Sequence, residues 1–126
     1  MRDARVLIVD DDPVNLRLME AMLRREGFSV SKAINGAEAL DCVQKEKPDL
    51  VLLDAIMPEM DGYSVLKRLR AIPRCTGLPV IMVTGLSMDE AGSLGREVRA
   101  DAYMEKPVDR SAMLKTIRTL LNRNDQ

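Results

Sequence analysis

Short apolar runs and amphipathic stretches alternate along this chain, and that alternation sets the first expectations. Ala4 to Val9 reads as a buried strand. A helix follows from Pro13 to about Glu26, with Asn15, Leu18, Met19, Met22 and Leu23 recurring at three- and four-residue spacing as its inward stripe. Asp12 fits the N-cap, Pro13 the first helical position and Gly27 the C-cap. Phe28 to Lys32 is a second strand. Asn35-Gly36 turns into a helix over Ala37 to Glu46, stopped by Pro48. Leu50 to Leu53 form an apolar run of the length expected for a strand buried on both faces. Gly62 to Ala71 is a helix with Val65, Leu66 and Leu69 on one side, and Val80 to Val83 a strand ending at Thr84. Met88 to Val98 is the weakest helix, because Gly92 and Gly95 each cost about 1 kcal/mol relative to alanine. Asp101 to Met104 is a fifth strand. The last helix spans about Arg110 to Asn122, with Met113, Leu114, Ile117, Leu120 and Leu121 inward, and Arg123 to Gln126 frays.

Strands alternating with amphipathic helices define an α/β protein, a parallel sheet covered by helices on both faces. Right-handed crossovers leave a few doubly wound topologies, and ligands of such sheets bind outside the carboxyl ends of the strands. The 126 residues suit one domain, with an ordered core over about residues 4 to 122.

Composition narrows the function without naming it. Charged residues make up 31% of the chain, yet the net charge is −1 and the basic residues form no tract, so direct contact with nucleic acid is not expected. No apolar run reaches membrane-spanning length, and Met1 to Arg5 lacks the apolar core of a signal peptide. Cys42 and Cys75 make no metal-ligand spacing and histidine is absent, which argues against a transition-metal site. Reduced thiols in a cytoplasmic protein are the expectation.

The carboxyl ends of the strands carry the candidate chemistry. They present Asp10 and Asp11, then Asp54, then Thr84, then Lys106. Singly, each has an ordinary explanation: a solvated turn, a helix cap, a surface lysine. Together, the fold reading puts them along one edge. Carboxylates at close quarters repel unless a cation joins them. A hard divalent ion with oxygen ligands fits, and Mg²⁺ suits few carboxylates completed by water and phosphate oxygens. Lysine and a hydroxyl suit the oxygens of a transferred phosphoryl group, and Asp54 suits a nucleophile forming an acyl phosphate.

With these residues in view, the chain resembles the receiver domain of two-component response regulators over its whole length. The matching pieces are Ile8-Val9-Asp10-Asp11, Leu53-Asp54 with Met57-Pro58 and Met60-Asp61-Gly62, Val83-Thr84-Gly85, and Tyr103 with Lys106-Pro107. The resemblance implies a flavodoxin-like (βα)5 fold of strand order 2-1-3-4-5 and no output domain. It implies that Asp54 accepts a phosphoryl group from a sensor histidine kinase or phosphotransfer protein in a phosphorelay. Asp10, Asp11, Asp54 and the carbonyl of Ile56 would hold Mg²⁺ or Mn²⁺, Thr84 and Lys106 the phosphoryl oxygens. Thr84 and Tyr103 would form the switch, with a cis bond between Lys106 and Pro107. The face of the fourth helix, fifth strand and fifth helix would meet an effector or a second copy. Val14 and Leu16, read as lying off the buried stripe of the first helix, would dock the phosphodonor with Pro107 and Val108.

Arg99 stands where the family often has glycine, and Val108 replaces a frequent phenylalanine; neither touches the chemistry. Ile56 and Leu86 flank the family's hydrolytic water, and as apolar side chains they predict slow loss of the phosphoryl group. Two rivals remain in view. Asp10-x-Asp12-x-Val14 superficially matches the nucleophile motif of haloacid-dehalogenase-type phosphatases, but Pro13 favours a helix start and Asp54 would be idle. A pseudo-receiver that binds partners without phosphorylation is weakened because all five pocket residues are present.

Overall fold

The computed structural model describes residues 3–57, 60–84 and 100–124. The chain runs β1 (Arg5–Val9), α1 (Pro13–Arg25), β2 (Ser29–Ala33), α2 (Gly36–Glu46), β3 (Leu50–Asp54), α3 (Gly62–Ala71), a short 3₁₀ turn (Pro73–Cys75), β4 (Val80–Thr84), β5 (Ala102–Glu105) and α4 (Arg110–Asn124). The helix expected over Met88 to Val98 lies outside the described residues, as do Pro58, Gly85 and Leu86, so the C-terminal helix is α4 here. The five strands are all parallel, in the order β2-β1-β3-β4-β5. This is the doubly wound order expected.

Strand alternation sorts the core into two layers. Leu7, Val9, Val51, Leu53, Val80 and Met82 face α2 and α3, packing with Val43, Val65, Leu66 and Leu69. Val6, Ile8, Leu50, Leu52, Ile81 and Val83 face α1 and α4, packing with Leu23, Met113, Leu114 and Ile117. Every residue of β3 and β4 is buried, as strands covered on both faces must be.

Local signals start and stop the helices. The Asp12 side chain accepts from the Val14 N–H (2.9 Å) with Pro13 in the first turn. The C-cap is Glu26 rather than Gly27; Gly27 follows it at φ +92°, where Phe28 N–H donates to Leu23 O (3.1 Å), so the glycine still stops the helix, from one position past the cap. Asn35 Oδ1 accepts from Glu38 N–H (2.8 Å) while Glu38 Oε1 accepts from Ile34 N–H (3.0 Å), a reciprocal clamp on the start of α2.

One expectation is corrected. Leu16 is 5% exposed and belongs to the core, whereas Leu18, expected inside, is 65% exposed. The buried line of α1 runs through Leu16 and Leu23, one heptad apart, with half-buried Met19 beside it. Leu18 points to the opposite side. The strand over Val80 ends at Thr84 as expected, whereas Asp54 and Ala33 are last residues of their strands rather than residues beyond them.

Gly62 locks the acidic end of β3 to α3. Its N–H donates to Ala55 O (2.9 Å), and a Cβ there would collide with the Asp54 carbonyl oxygen and come within 2.8 Å of Ala55 Cα. Gly62→Ala is expected to lose about 1–3 kcal/mol of stability by overpacking, despite alanine's better helix propensity. Gly77→Ala, with no atom within 4 Å of the new Cβ, should stay within about 0.5 kcal/mol of the parent. Urea unfolding of the two variants checks both.

Candidate functional site

The strand order makes β1 and β3 neighbours, with Val9 beside Leu53, so the residues that follow them meet. Asp10, Asp11 and Asp54 each place a carboxylate oxygen within 4.8 Å of the others. Asp10 and Asp54 are each only 5% exposed, while Asp11 is exposed. Asp10 is held on both oxygens: Asp12 N–H donates to Oδ1 (2.9 Å) and the Asn15 amide lies 3.5 Å from Oδ2. Its own N–H donates to Ala33 O (3.1 Å), which seats it at the junction with β2.

Lys106 reaches the cluster from just past β5. Its Nζ lies 3.2 Å from Asp54 Oδ1, and its backbone N–H donates to Thr84 O (2.8 Å). The Lys106–Pro107 peptide bond is cis. Ile56 N–H also donates to Asp54 Oδ1 (3.2 Å), and its side chain is 63% exposed beside the acid. Thr84 is fully buried at the end of β4. Tyr103 sits opposite Met82 in the register of β4 and β5, and its hydroxyl accepts from Ala100 N–H (3.2 Å). Asp10, Asp11 and Lys106 thus converge on Asp54, Thr84 is tied to them through the Lys106 backbone, and Tyr103 is engaged elsewhere.

Burial pushes the Asp54 carboxyl above the ordinary carboxylate range, and the neighbouring Asp10 charge adds to the rise. The Ile56 N–H and the charge and hydrogen bond of Lys106 pull the other way without cancelling it. Lys106 brings one positive charge to three clustered carboxylates. The donor set, all carboxylate oxygen, fits a hard divalent cation.

Sequence reasoning overlooked Asn15 as a neighbour of Asp10; its place in the first turn after the acidic run was the available signal. Pro107 and Val108, expected beside apolar residues of α1, do line a groove there. A cavity of about 300 Å³ opens between α1 and the loop after β5, lined by Asp10, Leu18, Met22, Lys106, Pro107 and Val108 among others. Leu18 replaces Leu16 as the partner of exposed Val14 on this side, because Leu16 is turned into the core.

The response regulator receiver domain family model matches residues 6–118. The chain belongs to that family and is a receiver domain of two-component signal transduction. It is 38% identical over 118 residues to Protein PilH of Pseudomonas aeruginosa, covering 94% of this chain and 98% of that protein. It is 37% identical to the DNA-binding regulator RpaA of Synechocystis and 38% identical to response regulator PleD of Caulobacter vibrioides, spanning 51% and 26% of those longer proteins. Among solved structures, a response regulator receiver domain protein from Methanospirillum hungatei superposes with TM-score 0.89 at 32% identity, over 98% of this chain and 97% of that one. The receiver domain of a sensor histidine kinase from Pseudomonas aeruginosa, solved with magnesium coordinated in its active-site cleft, gives 0.87 at 27% identity, over 95% and 98%. Receiver domains pair with histidine kinases or phosphotransfer proteins and bind Mg²⁺ in the active site. Neither the phosphatase nor the pseudo-receiver alternative is favoured. No helix among the described residues is long and apolar enough to cross a membrane.

The raised Asp54 carboxyl has a stability consequence. A group whose pKa is higher folded than unfolded favours the fold at low pH, and that contribution is lost as pH rises through the folded value. Without metal at neutral pH, Asp54→Asn should therefore melt above the parent, and the gap should close below about pH 4, where carboxyls are protonated in both states. Mg²⁺ should raise the parent's melting point, by about 2.7 kcal/mol of stability at a hundredfold excess over Kd. Asp11→Asn should diminish that gain. Calorimetry in chelator and in Mg²⁺ over this pH range reads all three.

Proposed function

We infer that this receiver is switched by phosphorylation of Asp54, supported above all by the convergence of Asp10, Asp11 and Asp54 with Lys106 on the Asp54 carboxylate. Among the described residues, the Ile56 N–H and Lys106 Nζ both engage Oδ1 of Asp54, which favours Oδ2 as the oxygen for attack. It forms a bond to phosphorus as the bond from phosphorus to the donor's imidazole nitrogen breaks. The imidazole leaves with that electron pair. Asp10, Asp11, Asp54 and the Ile56 carbonyl would hold Mg²⁺, or Mn²⁺, which when bound neutralises charge on the carboxylates and the phosphoryl oxygens. Lys106 and Thr84 hold the remaining phosphoryl oxygens, Lys106 exchanging its present partner for the product's charge.

The exposed apolar side chains at this edge suit a partner. Val14, Leu18, Ile34 and Ile56 are 49–65% exposed, and Leu18 lines the groove together with Asp10 and Lys106. A phosphodonor domain covering them would shed water from apolar surface while presenting its histidine to Asp54. Thr84 and Tyr103 relay the event to the surface of β5 and α4, which meets an effector or a second copy. The domain thus assists its own phosphorylation and dephosphorylation in the cytoplasm and turns over no external substrate.

Ile56 carries no group to orient a hydrolytic water, so the acyl phosphate is long-lived. With acetyl phosphate and Mg²⁺, intact-protein mass spectrometry should show one phosphoryl group, absent in Asp54→Asn and without Mg²⁺. Lys106→Ala should slow labelling by about 10²–10³-fold, the scale for removing a preorganised donor. Ile56→Asn should shorten the half-life up to about tenfold, the worth of one hydrogen bond to the attacking water. Equal labelling of Asp54→Asn refutes the assignment, and a half-life of seconds that Ile56→Asn leaves unchanged refutes the role of Ile56.

A further inference from the structure

Tyr103 and Thr84 lie on the same face of the sheet. In the register of β4 and β5, Met82 is opposite Tyr103 and Thr84 opposite Glu105. Met82 and Tyr103 both pack in the layer facing α2 and α3, so the two-residue period puts Thr84 on that face as well, diagonal to Tyr103 and nearer the carboxyl edge. The Tyr103 hydroxyl, however, is held at the opposite end of its strand, where it accepts from Ala100 N–H (3.2 Å).

That end is itself fastened. Asp101 N–H donates to Val80 O (2.8 Å) and Val80 N–H to Asp101 Oδ2 (2.8 Å). The same carboxylate oxygen pairs with Arg70 Nη2 (2.9 Å), whose other terminal nitrogen donates to Leu78 O (2.6 Å) and Cys75 O (3.2 Å). The Arg70 side chain is 17% exposed and that of Asp101 34%, so the guanidinium of this staple between α3, the loop before β4 and the start of β5 is largely covered while its carboxylate meets solvent, and the staple's hold comes from the number of its bonds. A guanidinium fork reaching several acceptors at once suits such a post.

We propose that the Tyr103 hydroxyl and the Ala100 amide form a latch, anchored by the Arg70–Asp101 staple, which holds Tyr103 away from Thr84 and biases this receiver to its resting state. The proposal rests on the reading of Tyr103 as the switch residue. Arg70 is then a positioning residue, acting on the site through the start of β5.

Hydrogen exchange of the Ala100 amide, followed by NMR on the full metal-free chain, reads the latch apart from phosphorylation. Tyr103→Phe keeps the ring and removes the acceptor, and Ala100 should exchange roughly three- to tenfold faster while the Leu52 amide does not change. Arg70→Gln should also speed Ala100 exchange and lower, by a similar factor, the beryllofluoride concentration giving half-maximal Thr84 shift in Mg²⁺. Asp101→Asn, which keeps the oxygen facing Val80, should do the same if Arg70→Gln folds poorly. Unchanged Ala100 exchange in Tyr103→Phe overturns the latch. Faster exchange without a shift in the beryllofluoride half-point overturns its hold on the switch. Failure of the parent to label at Asp54 would refute the phosphorylation reading, a result distinct from either.

Discussion

The constraint on which this molecule turns is electrostatic: three carboxylates share a space where their oxygens lie within 4.8 Å, and two of them are nearly shut off from water. Such a cluster opposes folding unless something compensates it. The chain supplies part of the compensation itself, through Lys106 on Asp54, Ile56 N–H on the same oxygen, and Asp12 N–H on Asp10. What remains is a site in which added positive charge, or conversion of one carboxylate to a group held by lysine, relieves strain already present. Stability is given up at the carboxyl edge of the sheet.

The fold exists in the form it does because that edge must be assembled. Parallel order β2-β1-β3-β4-β5 puts the ends of β1 and β3 side by side at the centre of the sheet, with β4 and β5 next in line. The same alternation that sorts apolar side chains into two layers separates the polar ones. Ala102 and Met104 lie in the layer facing α1 and α4, and Lys106 continues that phase to the acids. Thr84 and Tyr103 fall on the α2–α3 side. One sheet thus carries Lys106 and the acids on one face and Thr84 and Tyr103 on the other, joined at the Lys106–Thr84 backbone bond.

Much of this was legible in the sequence, because fully buried parallel strands read as plain apolar runs and Asp, Pro, Gly and Asn mark where each stops. Leu50 to Leu53 could hardly be anything else, and the acids at strand ends followed from the topology. The phase of α1 was not legible. Leu16, Leu18, Met19, Met22 and Leu23 offer two overlapping stripes, and only packing against β1 and β3 selects the one through Leu16 and Leu23. Nor could local pattern show Arg70 meeting Asp101, 31 residues away, or Tyr103 turned toward Ala100. The first contact is made by strand register and loop path, which no short window contains; the second joins residues only three apart, but which way the Tyr103 ring turns is set by packing against the sheet.

The most direct test locates the acyl phosphate chemically. Protein treated with acetyl phosphate and Mg²⁺, then reduced with borohydride, converts a phosphorylated aspartate to homoserine that peptide sequencing by mass spectrometry can place. The account predicts homoserine at position 54 alone, and none when Mg²⁺ is withheld. Homoserine at position 10 or 11, or at 54 regardless of the metal, would contradict it.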